Sequence, residues 1–225
     1  MLSKQSGKDV DCWIMLIFRI NDAIMQIEIT IFGISYKNIL EVYLVKIFVG
    51  CSSRDVGNEI YNGIADEIGE FIARNGHCLV FGGCSEGLMG RVYAKVNASN
   101  GNVIARQAKV YKDELIGLKA DIEVFDTINQ RKDGYTKIAD VLVFIPGGIG
   151  TIDELISAIE TRRSGEHKNP ILIVNEDNFF GDLLNMLEKI YSEGLASEAV
   201  KGLYYVANSL NEAISALEVI CARSK

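Results

Sequence analysis

The chain has 225 residues, 48% hydrophobic and 24% charged, an ordinary globular composition with length enough to bury a substantial core. Its formal charge of -7 argues against a general affinity for nucleic acid, which needs clustered basic surface, but leaves room for a small anionic ligand in a local positive pocket. Five cysteines (Cys12, Cys51, Cys78, Cys84, Cys221) form no C-x-x-C pair, and His77 and His167 are the two imidazoles. No metal site is expected from that set, and an odd thiol count fits a reducing cytoplasm better than a disulfide framework.

Residues 1–44 read as an appended element of low functional content, with Met25 as an alternative start. "CWIMLIF" (12–18) is too short to span a bilayer, and it lacks the basic-then-apolar order and cleavage site of a signal peptide. No membrane partner is expected. "MQIEITIFGISY" (25–36) has the character of an extra strand.

From Val45 the pattern becomes regular, and residues 45–225 read as one domain. The strand "VKIFVG" precedes a helix with Ile60, Ile64, Ile68, Phe71 and Ile72 on one stripe, stopped by Asn75-Gly76. "CLVFGG", "NVIA", "IEVFD", "DVLVFI", "PILIVN" and "LYYVA" are the later strands, with helices predicted between them, notably over 151–163, 178–192 and 209–222. Short apolar runs alternating with helices indicate a doubly wound, Rossmann-like α/β fold with a parallel sheet covered on both faces. Such folds bind ligands beyond the carboxyl ends of strands, where strand order reverses. Three predicted strand ends carry polar or glycine-rich loops: Cys51-Ser52-Ser53, Gly82-Gly83-Cys84-Ser85-Glu86-Gly87 and Gly147-Gly148-Ile149-Gly150-Thr151.

Glycines at a strand-to-helix turn permit positive φ and bring backbone N–H groups close to an anion, and a helix N-terminus adds unpaired donors. Neither loop reads G-x-G-x-x-G with its later acidic residue, and no G-x-x-x-x-G-K-[ST] occurs, so a nucleoside monophosphate fits better than a dinucleotide or triphosphate. Thr151-Ile152-Asp153-Glu154 also fits a Thr-x-x-Glu capping box. With Ile152, Leu155, Ile156 and Ile159 on one helical stripe, Glu154 is predicted almost opposite it, clear of the sheet. Arg131 and Lys132, after the strand "IEVFD", read either as a solvated helix start or as anion-binding groups.

Taken together, "GGCSEGLMG" (82–90), "RK" (131–132) and "PGGIGTIDE" (146–154) resemble the Lonely Guy phosphoribohydrolases, often labelled lysine decarboxylases. The similarity covers about residues 45–195, including "CSS" and the "GEHKNP" turn. It implies cleavage of the N-glycosidic bond of a nucleoside 5′-monophosphate (AMP or an N6-substituted, cytokinin-type nucleotide) to free base and ribose 5-phosphate. Carried over by position, it implies Arg131 and Glu154 as the catalytic pair. Gly147, Gly148, Gly150 and Thr151 would hold phosphate, and Glu114, Lys132 and Asp153 would contact substrate. It implies no cofactor, and a homodimer with the site near the subunit interface.

The chain departs from the family at Ile128-Asn129-Gln130, where Met-His usually precedes the Arg-Lys pair, and at Cys84, where a third glycine is usual. Gly134 is predicted to weaken its helix by about 1 kcal/mol relative to Ala. A decarboxylase would need pyridoxal phosphate on a lysine, and no constellation for it is visible. The rival reading is a non-catalytic nucleotide or molybdenum-cofactor carrier, which has no need of Arg131 and Glu154.

Overall fold

The structure, a computed structural model, describes residues 15–21, 24–31, 34–38 and 44–223. The chain divides into two compact units, Met1–Leu44 and Val45–Lys225. In the first, β1 (Met15–Asn21), β2 (Ile24–Ile31) and β3 (Ile34–Asn38) pair antiparallel in that order. The stretch "MQIEITIFGISY", predicted as one strand, thus contributes to two.

The second unit is built on a seven-stranded, all-parallel sheet. Its strands are β4 (Lys46–Gly50), β5 (Cys78–Phe81), β6 (Val103–Ala108), β7 (Asp121–Phe125), β8 (Val141–Phe144), β9 (Ile171–Val174) and β10 (Tyr205–Ala207). Five helices lie between strands, α1 (Glu59–Arg74), α2 (Gly87–Ala98), α3 (Ile128–Ile138), α4 (Ile149–Ser164) and α5 (Gly181–Ser192), a short 3-10 segment joins β6 to β7, and α6 (Leu210–Arg223) follows β10. A parallel sheet buried on both faces needs apolar residues at successive positions, and the central strands supply them. Ile47 and Val49 enter a core with Ile64, Ile68, Val92 and Leu217, whereas Phe48 between them faces Tyr135, Leu155 and Ile159. Thus α1, α2 and α6 cover one face, and α3, α4 and α5 the other.

The sheet order is β10-β9-β8-β4-β5-β6-β7. From β4 the chain winds outward to β7, then α3 carries it back so that β8 lies on the other side of β4. The β4/β8 junction is therefore the point where winding reverses, the place where folds of this kind form their ligand crevice beyond the strand ends. The three loops singled out in the sequence meet at this place. The Ser52 N–H donates to the Pro146 carbonyl at 3.2 Å, and the Met89 N–H to the Ser52 carbonyl at 3.0 Å.

Two helices differ from expectation. α4 begins at Ile149, with Gly148 as its N-cap and no side-chain cap bond, so Thr151 lies inside the first turn. The Thr151–Glu154 capping box is not formed. Its buried face is Thr151, Glu154, Leu155, Ala158 and Ile159, while Ile156 is exposed. Glu154 accordingly points into the protein rather than clear of the sheet. The capping box exists instead on α3: the Gln130 N–H donates to Thr127 Oγ1, and the Thr127 N–H to Gln130 Oε1, both at 3.2 Å. Gly134 in the same helix has a packing cause. A Cβ there would collide with the Phe125 ring, and overpacking of roughly 1–3 kcal/mol outweighs the lost helix propensity.

Candidate active site

Two side chains define the bottom of the crevice. Arg131 stands at the end of the first turn of α3, its backbone N–H donating to the Thr127 carbonyl at 3.1 Å. Glu154 projects from the buried face of α4. Arg131 Nη2 donates to Glu154 Oε1 at 2.5 Å, with the two side chains only 11% and 8% exposed. A charged pair so deeply enclosed is held in geometry by its surroundings, because neither group has water to turn to.

Burial pushes the Glu154 carboxyl up to about 7; Arg131 holds it down, Asp153 pushes it up and Lys132 holds it down. Cys51, at the end of β4, is buried beside this carboxyl, and burial followed by the Glu154 charge pushes its thiol far above the ordinary range. That thiol is therefore no nucleophile. Tyr135, one turn along α3, stacks on Phe48 with ring centroids 3.8 Å apart, and burial likewise keeps its hydroxyl neutral.

Lys132 reaches from α3 to α4. Its Nζ reaches Asp153 Oδ2 at 2.9 Å and Ser157 Oγ at 2.8 Å. The two residues predicted as substrate contacts thus pair with each other across α3 and α4. Glu114 lies on the short 3-10 segment after β6 and accepts from Gln107 Nε2 at 3.1 Å. Gln107, on β6, was not anticipated. Its Oε1 accepts from Arg131 Nη1 at 3.2 Å, so Glu114, Gln107, Arg131 and Glu154 form one connected chain.

The glycine loops work differently from one another. In the first, Gly83 and Gly87 have φ of 83° and 59°, a conformation that other residues adopt only with strain. In the second, no glycine has positive φ. Gly147 is required because a Cβ would collide with Thr151, whereas Gly148 and Gly150 have no atom within 4 Å of a Cβ position. The start of α4 is therefore open on the side where these side chains would stand, and residues 148–150 are exposed. A helix N-terminus of this kind carries unpaired N–H donors that favour an anion. Among the described residues no group of three His, Cys, Asp or Glu side chains could hold a metal, and no helix is long and apolar enough to cross a membrane.

The chain is similar to known proteins over most of its length. A family described as "Possible lysine decarboxylase" matches residues 89–217. The cytokinin riboside 5'-monophosphate phosphoribohydrolase LOG1 of Arabidopsis thaliana is 31% identical over 183 residues, 80% of this chain and 85% of that protein. The chain belongs to the Lonely Guy (LOG) family. The enzyme LOG of Oryza sativa subsp. japonica, with the same activity in its name, is 30% identical over 77% of this chain and 72% of its own length. Solved structures show the LOG fold elsewhere: the molybdenum cofactor carrier protein of Chlamydomonas reinhardtii matches with a TM-score of 0.57 at 21% identity, covering 80% of this chain and 99% of that one. A molybdenum cofactor binding protein of Rippkaea orientalis matches with a TM-score of 0.56 at 17% identity, over 79% and 97%. At such identity the likeness is one of fold.

Proposed function

We propose that this protein hydrolyses the N-glycosidic bond of nucleoside 5′-monophosphates, AMP or N6-substituted AMP of the cytokinin type, releasing free base and ribose 5-phosphate. The observation that carries the reading is the buried Arg131–Glu154 pair at the junction of the glycine loops. Cleavage breaks the bond from C1′ to the base nitrogen and forms one from C1′ to a water oxygen, through a sugar of oxocarbenium character. A carboxylate beside C1′ stabilises that cation and orients the water, taking up its proton as the new bond forms. The base nitrogen leaves with the C1′–N electron pair and takes a proton from solvent, to which the carboxylate returns its own. Glu154 fills this role, and Arg131 fixes the carboxylate in place.

The same helix supplies the other end of the substrate. Gly147, Gly148, Gly150 and Thr151 hold the 5′-phosphate on the open first turn of α4. Four residues at helical rise separate Gly150 from Glu154 by about 6 Å, which suits the span from a 5′-phosphate to the anomeric carbon of one ribose. Lys132, Asp153 and Glu114 contact the remaining substrate groups. The protein acts as a cytoplasmic homodimer in this reading, with an expected solution mass of twice the chain.

A cofactor carrier of the same fold is the competing reading, and the pair speaks against it. A carrier needs a cradle, not a buried carboxylate held near neutrality. Incubation of the protein with AMP and isopentenyladenosine monophosphate, followed by chromatography of the base, tests the proposal. Base is released by the native protein and not by Glu154→Gln, which still binds nucleotide by calorimetry. Tight binding of intact nucleotide without release from any nucleoside monophosphate would establish the carrier instead.

A further inference from the structure

Gln107 is 2% exposed on β6, and the role of a buried amide is fixed by where its three polar contacts go. The orientation of this amide is forced. The Ala108 N–H donates to its Oε1 at 2.9 Å, and a backbone N–H can only donate. Arg131 Nη1, also only a donor, approaches the same oxygen at 3.2 Å. The amide nitrogen is then left to donate, and it reaches Glu114 Oε2 at 3.1 Å. Two of the three bonds therefore go to ionisable groups of the crevice. Turning the amide over would set donor against donor at both other contacts.

Arg131 depends on this oxygen. Its Nε is buried with no hydrogen-bond partner, so the guanidinium is held by Glu154 through Nη2 and by Gln107 through Nη1. One anchor lies on α4 and the other on β6. With both in place the fork has a single orientation; with only Glu154 it pivots about one bond.

We infer that Gln107 is a positioning residue, which sets the Arg131 guanidinium against Glu154 and ties that pair to Glu114 at the crevice edge. Its kinetic consequence rests on the phosphoribohydrolase reading; its structural consequence does not. The groups facing Glu154 are Arg131, Lys132 and Tyr135 from α3, Asp153 from its own helix and Cys51 from β4. Of these, Arg131 is the strongest influence holding the carboxyl down. Loosening Arg131 therefore moves the Glu154 midpoint upward.

The test uses the full chain with Gln107→Met, which keeps the shape and removes both polar ends, and Gln107→Glu. The latter keeps the acceptor for Arg131 and the Ala108 N–H and, facing Glu114 with its second oxygen, shares one proton with that carboxyl. The Glu154 titration is followed by NMR of carboxyl-labelled glutamate, with the resonance assigned by its absence from Glu154→Gln. In Gln107→Met the midpoint rises. Its kcat for base release falls about tenfold to a hundredfold, as expected for a misplaced catalytic group, with a smaller change in KM because the proposed phosphate contacts on α4 remain and only Glu114 loses its anchor. Gln107→Glu recovers most of the lost kcat. An unmoved Glu154 midpoint in folded Gln107→Met overturns the inference whatever the turnover, as does Gln107→Glu no better than Gln107→Met. Should Gln107→Met fail to fold, the Gln107→Glu comparison with native protein decides it: a displaced Arg131 in that variant overturns the inference. Native protein that releases no base from any nucleotide refutes the proposed activity alone, and the titration still decides the role of Gln107.

Discussion

Glu154 stands between opposing influences: burial favours its neutral form, and the guanidinium 2.5 Å away favours the charged one. Burial prevails, and the carboxyl rises from 4.5 to about 7. The sign of the stability effect follows. Between these values the folded chain holds a proton that the unfolded chain has released, so the contribution of Glu154 to stability is full below 4.5 and is lost as pH rises through 7. Thermal denaturation from about pH 5 to about pH 8 is expected to lower the native midpoint relative to Glu154→Gln. A parallel decline in both proteins would mean that Glu154 is not the titrating group. Turnover has the opposite slope. If the ionised carboxylate meets the sugar cation, kcat/KM rises with pH and levels off above about 7.

At the scale of elements, α4 combines two duties that its sequence presents as one motif. Gly147 serves packing, since a Cβ would strike Thr151, whereas a Cβ at Gly148 or Gly150 would meet no neighbouring group. Alanine separates these duties. Gly147→Ala is expected to destabilise the fold by about 1–3 kcal/mol through overpacking, read as a lower unfolding midpoint. Gly148→Ala and Gly150→Ala should keep native stability and raise KM for the nucleotide about tenfold by intruding on the phosphate, with a small change in kcat. An unaltered KM in both would place phosphate binding away from α4. The other participating helix, α3, reaches the crevice through its Thr127–Gln130 capping box, which fixes its start one turn before Arg131.

Across the whole molecule, every candidate site residue lies in Val45–Lys225, as do the core residues described around the seven-stranded sheet. A chain of residues 45–225 is therefore predicted to fold and to release base with kcat within about twofold of the full chain. Loss of turnover in a folded truncated protein would assign residues 1–44 a part in the site. A reversal of winding such as that between β4 and β8 offers one place for ligands of different kinds, and within it the side chains decide the chemistry.

Sequence by itself determined the alternation of strands and helices, because apolar runs such as Val141–Phe144 and the stripe on α1 are local patterns set by backbone geometry. It also picked out Arg131, Glu154 and the glycines as candidates, since the motifs that carry them are short and ordered, and the structure sets Arg131 against Glu154. It misplaced the side of α4 on which Glu154 lies. Helical spacing identifies an apolar stripe but cannot tell that the buried face extends past it to a carboxylate, for that depends on a guanidinium arriving from α3. The capping box on α3 was legible as Thr127-x-x-Gln130, yet Thr151-x-x-Glu154 presented the same pattern, and only the position of the helix start separates them. Gln107 had no signal at all in a strand of mixed character. Its role comes from tertiary contacts alone: β6 sets the amide between Arg131 and Glu114, residues 24 and 7 positions away in the chain.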